Sequence, residues 1–235
     1  ECSAMSESIL GLPLDIHGGG QDLIFPHHED EVAQSEAAYG KKFANYWVHN
    51  GMVNVDRVKM SKSLGNFRTI RDILKNYSGE IIRYFVISVH YRKPVDFSEK
   101  TLENAKNAYE RLKRIIDEIK NDGKKENKEY IQEFEKAMDD DLNTPKALQV
   151  LWKLVRDDKA IGKIKTIEKI DSVFGLNLLK KEEVKIPAEI LGLIDERENA
   201  RKKKDFKKSD ELREKINKLG FKIDDTSEGV KVSRI

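Results

Sequence analysis

Apolar and polar positions change their period along the 235-residue chain, and the changes predict its elements. Pro13-Leu14-Asp15-Ile16-His17 alternates as a strand does and runs into Gly18-Gly19-Gly20, where a backbone without side chains can turn sharply or lie against a ligand. A helix is predicted from about Pro26-His27, with Val32, Ala33, Ala37 and Ala38 on its inner face and Gly40 as its stop. Tyr46-Trp47-Val48-His49 and Met52-Val53-Asn54-Val55 predict short strands, and a polar, lysine-rich loop covers Asp56 to Arg68. The period then becomes helical, first through Ile70, Ile73 and Leu74, then through Ile81, Ile82, Phe85, Val86 and Val89.

Pro94-Val95-Asp96-Phe97-Ser98 breaks that period, and Ser98 with Thr101 can start a new helix. Beyond it an antiparallel helical bundle is predicted to about Lys181. Leu102, Ala105, Ala108, Leu112, Ile115, Ile116 and Ile119 mark one helix, and Phe134 and Met138 a second. Leu148, Leu151, Leu154 and Val155 mark a third, and Ile161 to Phe174 a shorter fourth. Two helices follow, roughly 187–204 and 206–219, and then a hairpin whose strands are Phe221–Asp225 and Val230–Ser233. The organisation is therefore read as residues 1–96, 97–183 and 184–235.

Composition narrows the function classes. The chain is 38% hydrophobic, too much for a disordered chain, and holds no apolar run long enough to span a membrane. A single cysteine forms no internal disulfide, so a reducing, cytoplasmic setting is expected. The near balance of 44 Lys+Arg and 42 Asp+Glu predicts no partner by itself, yet from Arg197 to Lys222 there are eleven basic and five acidic residues. Such density favours phosphates, with a solvated helix face laced by ion pairs as the plain alternative. Asp210 and Asp225 stand out there, since a carboxylate among phosphates costs affinity unless it accepts from a base amino group.

Three further constellations can carry chemistry. Lys59-Met60-Ser61-Lys62-Ser63, followed by Leu64-Gly65-Asn66, puts two ammonium groups and two hydroxyls on a short loop. It can close on a triphosphate and neutralise charge developing at the α-phosphorus, or it can be a solvated connection. Cys2, His27 and Glu31 suit zinc: His27 and Glu31 stand four apart on one helix face, and Cys2 would approach from a preceding strand. His28, Glu29 and Asp30 compete as donors, and a helix-start His27, a surface Glu31 and a small buried Cys2 are the alternative. Gly20-Gln21-Asp22 after a strand end can receive a nucleoside, the carboxylate accepting from ribose hydroxyls, or can be an ordinary glycine turn.

Taken in order, Glu1–Ser6, Asp15–Glu31, Asn45–Val53 and Lys59–Phe67 resemble cysteinyl-tRNA synthetase. The resemblance continues through Arg83-Tyr84-Phe85, Met138–Ala147 and Ala200–Phe206, so it spans essentially the whole chain; the Pro-His-His-Glu-x-Glu string with a cysteine 25 residues earlier is its most specific part. It implies an α/β remnant, the second half of a Rossmann-like class I catalytic domain, followed by an α-helical bundle and a small α+β anticodon-binding domain. It implies activation of L-cysteine with ATP and Mg2+ to cysteinyl-adenylate, and transfer to the 3′ end of tRNA(Cys), by a monomer. Cys2, His27 and Glu31 are the implied Zn2+ ligands, with a further cysteine from an upstream motif, and the metal would recognise the substrate thiol. His17 is implied in the cysteine pocket, Gly20 and Asp22 at the nucleoside, Lys59, Ser61 and Lys62 at the triphosphate, and Arg201, Asp210 and Asp225 at the anticodon. In the last strand this chain has Val232 where the family often has tryptophan.

The chain lacks the family's nucleotide-binding H-I-G-H-type half, so it is expected to be the later part of a longer polypeptide that retains tRNA affinity without adenylation activity. Two rival readings are a cysteine ligase acting on an amino sugar, and a non-catalytic tRNA-binding module built from synthetase parts.

Overall fold

The computed structural model describes residues 1–55, 58–60, 69–180, 187–226 and 229–234, which fall into two compact units, 1–179 and 180–235. In the first unit, helix α1 (Cys2–Leu10) precedes strand β1 (Leu14–Gly20). Two tight turns, Gln21–Leu23 and Ile24–His28, lead into α2 (Glu29–Tyr39), and β2 (Ala44–Asn50) returns parallel to β1, pairing His17 with Trp47 and Gly20 with Asn50. This β1–α2–β2 crossover is the local form of a parallel α/β layer. Acidic Glu29, Asp30 and Glu31 fill the first turn of α2, where the helix dipole favours them, and Gly40 closes it in the left-handed region at φ 64°.

A second small sheet has the order β4-β3-β5 and is built from β3 (Val53–Val55), β4 (Val58–Lys59) and β5 (Val95–Asp96), β4 antiparallel and β5 parallel to β3. Helices α3 (Ile70–Ile73) and α4 (Gly79–Ile87) lie between these strands in sequence. The bundle follows: α5 (Glu99–Asp117), α6 (Lys128–Asp139), α7 (Thr144–Arg156) and α8 (Lys163–Phe174). Its helix starts are written in the chain. The Ser98 and Thr101 side chains form a reciprocal capping box, and Asn127 and Asn143 accept from the backbone three residues on.

The bundle core is dry and apolar. Leu112, Leu151, Leu154, Ile167 and Ile170 are fully buried, and the same cluster takes in Ile73, Ile81, Tyr84 and Phe85 from before residue 97. The Arg83-Tyr84-Phe85 string is thus a joint of the fold. Arg83 donates to the Phe174 carbonyl at the end of α8, Tyr84 accepts from the Trp152 indole at 3.1 Å, and Phe85 packs edge-on against Phe97. Around the β1–β2 pair the core is small, with Leu14, Phe43 and Ala44 buried.

The second unit has α9 (Ala188–Lys202) packed on α10 (Phe206–Lys218) and a hairpin of β6 (Phe221–Thr226) and β7 (Gly229–Arg234). Ile190, Leu193, Ile194, Leu212, Ile216, Phe221 and Ile223 form its core. Among the described residues, no helix is long and apolar enough to cross a membrane.

The predicted order of elements is observed, with four local differences, the first being a short strand at Val95–Asp96 inside the segment predicted only as a boundary. Residues 2–10 are helical although no element is predicted there, so Cys2 opens a helix and does not approach from a strand. The helix predicted from Pro26-His27 has its regular part from Glu29, because Phe25 is extended and Pro26 has no N–H to give to a helical ladder. Val58–Lys59 adds a strand to the start of the lysine-rich loop. Because Leu151 is fully buried among bundle helices, Leu151→Ala is expected to cost about 2–5 kcal/mol in denaturant unfolding, the range for a cavity in a packed core.

Candidate metal centre

The site assembles around the carboxylate of Glu31, which is only 4% exposed in the first turn of α2. Its Oε2 lies 2.9 Å from Nε2 of His17 on β1, and its Oε1 lies 3.8 Å from Nε2 of His27, one helical turn earlier. Cys2 comes in from the start of α1, which is pinned to α2 by a 3.0 Å hydrogen bond from the buried Ser3 hydroxyl to Gln34. One donor atom from each of Cys2, His27 and Glu31 then lies within 4.8 Å of the others, around a cleft also bordered by Asp30 and Gln34. The alternative of a surface Glu31 and a buried Cys2 is reversed: Glu31 is buried and Cys2 is exposed. A soft sulfur, an imidazole nitrogen and a carboxylate oxygen converging on one point are a donor set suited to zinc.

Behind this cluster stands a wall of rings. His28 is 4% exposed, and its Nδ1 is 2.9 Å from Nε2 of His49, so one ring nitrogen donates and the other accepts. Trp47 stacks on His49 at 5.7 Å and meets His17 edge-on at 4.9 Å. Trp47 and His49 alternate on one face of β2, Trp47 opposite His17 and His49 opposite Gly19 of β1. Gly19 makes room for this wall, since a Cβ there would sit 2.9 Å from the His28 ring. His17, His28 and Glu31 form a second convergent trio, again with donor atoms within 4.8 Å. Burial, followed by the neighbouring histidines, pushes His28 below the ordinary histidine value, with Glu31 acting against the shift.

Three family profiles match the chain in order. One, described as the class I (C) tRNA synthetase catalytic domain, covers residues 1–107; a DALR domain covers 133–195; and a cysteinyl-tRNA ligase anticodon-binding domain covers 183–232. The chain belongs to the cysteinyl-tRNA ligase family. It is 45% identical to the cysteine–tRNA ligase of Finegoldia magna over 98% of this chain and 54% of that protein. It is 43% identical to the cysteine–tRNA ligase of Bacillus velezensis over 100% of this chain and 55% of that protein, so it spans about half the length of these curated relatives. The fold is also that of part of the LeuRS from Agrobacterium radiobacter in complex with tRNA and LeuAMS, with TM-score 0.56 and 15% identity over 72% of this chain and 26% of that one.

The remaining residues picked out in this cysteinyl-tRNA ligase family chain are distributed over both units. Gly20 and Asp22 adjoin on the turn that ends β1, and the Asp22 carboxylate folds back so closely that a Cβ on Gly20 would lie 2.4 Å from its Oδ1. Lys59 has its backbone in β4 opposite Asn54, while Ser61 and Lys62 lie outside the described residues. In the second unit Arg201 sits in the last turn of α9 and Asp210 in the first half of α10, both exposed; Asp225 pairs through its backbone with Val230, and its side chain lies outside the described residues. Trp47 and His49 were not among the expected site residues, and His28 was expected only as a competing metal donor. The alternation Tyr46-Trp47-Val48-His49 carries the signal that two of them share a face, but not which face meets His28.

A lowered His28 means that the unfolded chain binds this proton more readily than the folded one. Its contribution to stability is therefore complete above the ordinary value of 6.5 and is lost as pH falls below it. Histidine ring resonances followed from about pH 8 to about pH 4, a span around the ordinary histidine value, are expected to give His28 an apparent pKa below 6.5.

Proposed function

We propose that, in the full-length protein, this chain supplies the cysteine-recognition site, part of the triphosphate site and the anticodon reader of an enzyme that activates L-cysteine with ATP and Mg2+ and transfers it to tRNA(Cys). The observation that carries this reading is the convergence of Cys2, His27 and Glu31 within 4.8 Å, on the profile match that names the family. Zn2+ held by these three residues, together with a ligand from elsewhere in the full-length protein, supplies a soft Lewis acid that favours a thiolate far above a hydroxyl, the difference between cysteine and serine. Shape alone separates such close isosteres by only about 1–3 kcal/mol.

The chain's own residues do the rest. His17 fixes the Glu31 carboxylate through Oε2 and leaves Oε1 turned toward His27 and Cys2, so the ligand face is set before anything binds. His17 and the rings beside it wall the pocket in which the substrate side chain rests. Gly20 and Asp22 receive the nucleoside, the glycine by close approach of backbone and the aspartate by accepting from ribose hydroxyls. Lys59, Ser61 and Lys62 place cations and donors against the triphosphate as the cysteine carboxylate oxygen bonds to the α-phosphorus and the bond to pyrophosphate breaks. The terminal ribose hydroxyl of the tRNA then takes the cysteinyl group and AMP leaves. Arg201, Asp210 and Asp225 select the anticodon in the basic second unit. The match of residues 183–232 to an anticodon-binding domain favours tRNA over an amino sugar as acceptor. The protein acts as a monomer in the cytoplasm.

Three variants test this reading. In the full-length protein, Cys2→Ser is expected to lower Zn2+ content and to abolish the preference for cysteine over serine in ATP–pyrophosphate exchange; unchanged metal content would refute the assignment. His17→Gln, which removes a partner of Glu31 and not a ligand, is expected to weaken Zn2+ about 10- to 100-fold in a chelator competition. For the second unit, Asp210→Ala is expected to relax anticodon preference at one position by about 1–3 kcal/mol while leaving the salt dependence of tRNA binding unchanged.

A further inference from the structure

The Met138–Ala147 string is picked out by the sequence, yet nothing in the chemistry above uses it. It contains the α6–α7 turn, where Asp141 and Leu142 adopt positive φ values of 54° and 52°. A non-glycine pair in the left-handed region is uncommon and is held by its surroundings. Here the turn aims the Asp141 carboxylate at residues 49–51 positions earlier in the chain, between α4 and β5. Tyr91 donates its hydroxyl to Oδ1 at 2.6 Å, and Arg92 forks across both oxygens at 2.5 and 3.0 Å. Arg92 also lies over the Tyr91 ring, which stacks on His90 at 5.0 Å. Hydrogen bonds from Arg92 and Tyr91 hold the Asp141 carboxyl down at about 2.

The other side of the same short strap faces the α/β layer through its backbone. The Tyr91 carbonyl accepts from the N–H of Gly51, at the end of β2, at 2.7 Å, and the Arg92 carbonyl accepts from the Gln21 side chain at 3.1 Å. Contact is close enough that a Cβ on Gly51 would lie 2.4 Å from the Lys93 carbonyl. Gln21 stands between Gly20 and Asp22. A carboxylate in the bundle is therefore joined, through one strap of four residues, His90 to Lys93, to the turn that ends β1.

We propose that Asp141 is a positioning residue for the Gly20–Asp22 turn, anchoring the His90–Lys93 strap whose carbonyls hold Gly51 and Gln21. Its consequence for catalysis rests on the reading of Gly20 and Asp22 as nucleoside contacts. Asp141 touches no substrate. Its bidentate contact with Arg92 fixes the strap, and the strap fixes Gln21, so the carboxylate acts on ATP binding from the bundle side without contributing to the metal centre.

The test uses Asp141→Asn, with Arg92→Gln as a second variant that breaks the same contact from the strap side. In the present chain, amide exchange at Gly51 is expected to quicken about fivefold in either variant, the size of change a partly exposed bidentate contact yields. Exchange at Leu151 in the bundle core should not change, which separates the strap from general loosening. In the full-length protein, KM for ATP is expected to rise about fivefold with KM for cysteine and Zn2+ content unchanged. Asp22→Ala provides the control for the underlying reading. Unchanged exchange at Gly51 overturns the inference. A raised KM for ATP in Asp22→Ala with none in Asp141→Asn overturns it as well, while leaving the nucleoside reading intact. An unchanged KM in both overturns the nucleoside reading and the inference with it.

Discussion

An ionised carboxylate can be taken out of water only where donors or cations replace its hydration, and Glu31 is taken almost entirely out of water. One of its oxygens is held by His17 and the other faces His27, so three elements must meet at this point: the strand that carries His17, the turn that carries His27 and the helix that carries Glu31. The requirement reaches further. His17 is in register with Trp47, which stacks on His49, which in turn bonds His28, and Gly19 has no side chain because the His28 ring occupies that space. Ser3 brings the start of α1 to the same place through Gln34, and with it the thiol of Cys2. A site for a soft metal is the chemical outcome of satisfying one buried charge in this way.

The bundle answers a different constraint. Its helices are long enough to bury a continuous apolar seam, their starts are capped by side chains, and hydrogen bonds to backbone carbonyls finish the joints, as from Tyr109 to Leu176 at 2.9 Å. Helices α3 and α4 share this seam although they lie before the proline at position 94, so the bundle grows into the α/β layer instead of beginning after it. That continuity gives a turn between two bundle helices a rigid base from which to hold a strap beside the β1 turn. In the second unit, α9, α10 and the hairpin close a core of their own around Ile216 and Ile223.

Most of the elements were legible because local signals agree with tertiary need. Ser98 stops one element and starts another wherever the chain goes, and the helical period of Leu102, Leu112 and Ile116 faces inward whichever helix packs against it. The zinc-type trio was legible as chemistry, because His27 and Glu31 are neighbours on one face and residue type restricts the donors. Helix α1 was not, since Cys2-Ser3-Ala4-Met5-Ser6 has neither a strong apolar period nor a capping side chain, and its position depends on Gln34.

By itself, the sequence determined the order of most helices and strands, the kinds of donor available to a metal, the lysine-rich string and the basic character of the last segment, because each of these is a property of neighbouring residues. The tertiary structure alone decided that Glu31 is buried and Cys2 exposed, that His28 pairs with His49, and that Asp141 reaches Arg92 and Tyr91. Those facts depend on strand register and helix packing between residues 21 to 50 positions apart, where chain connectivity imposes no geometry and only the joint burial of side chains selects one arrangement.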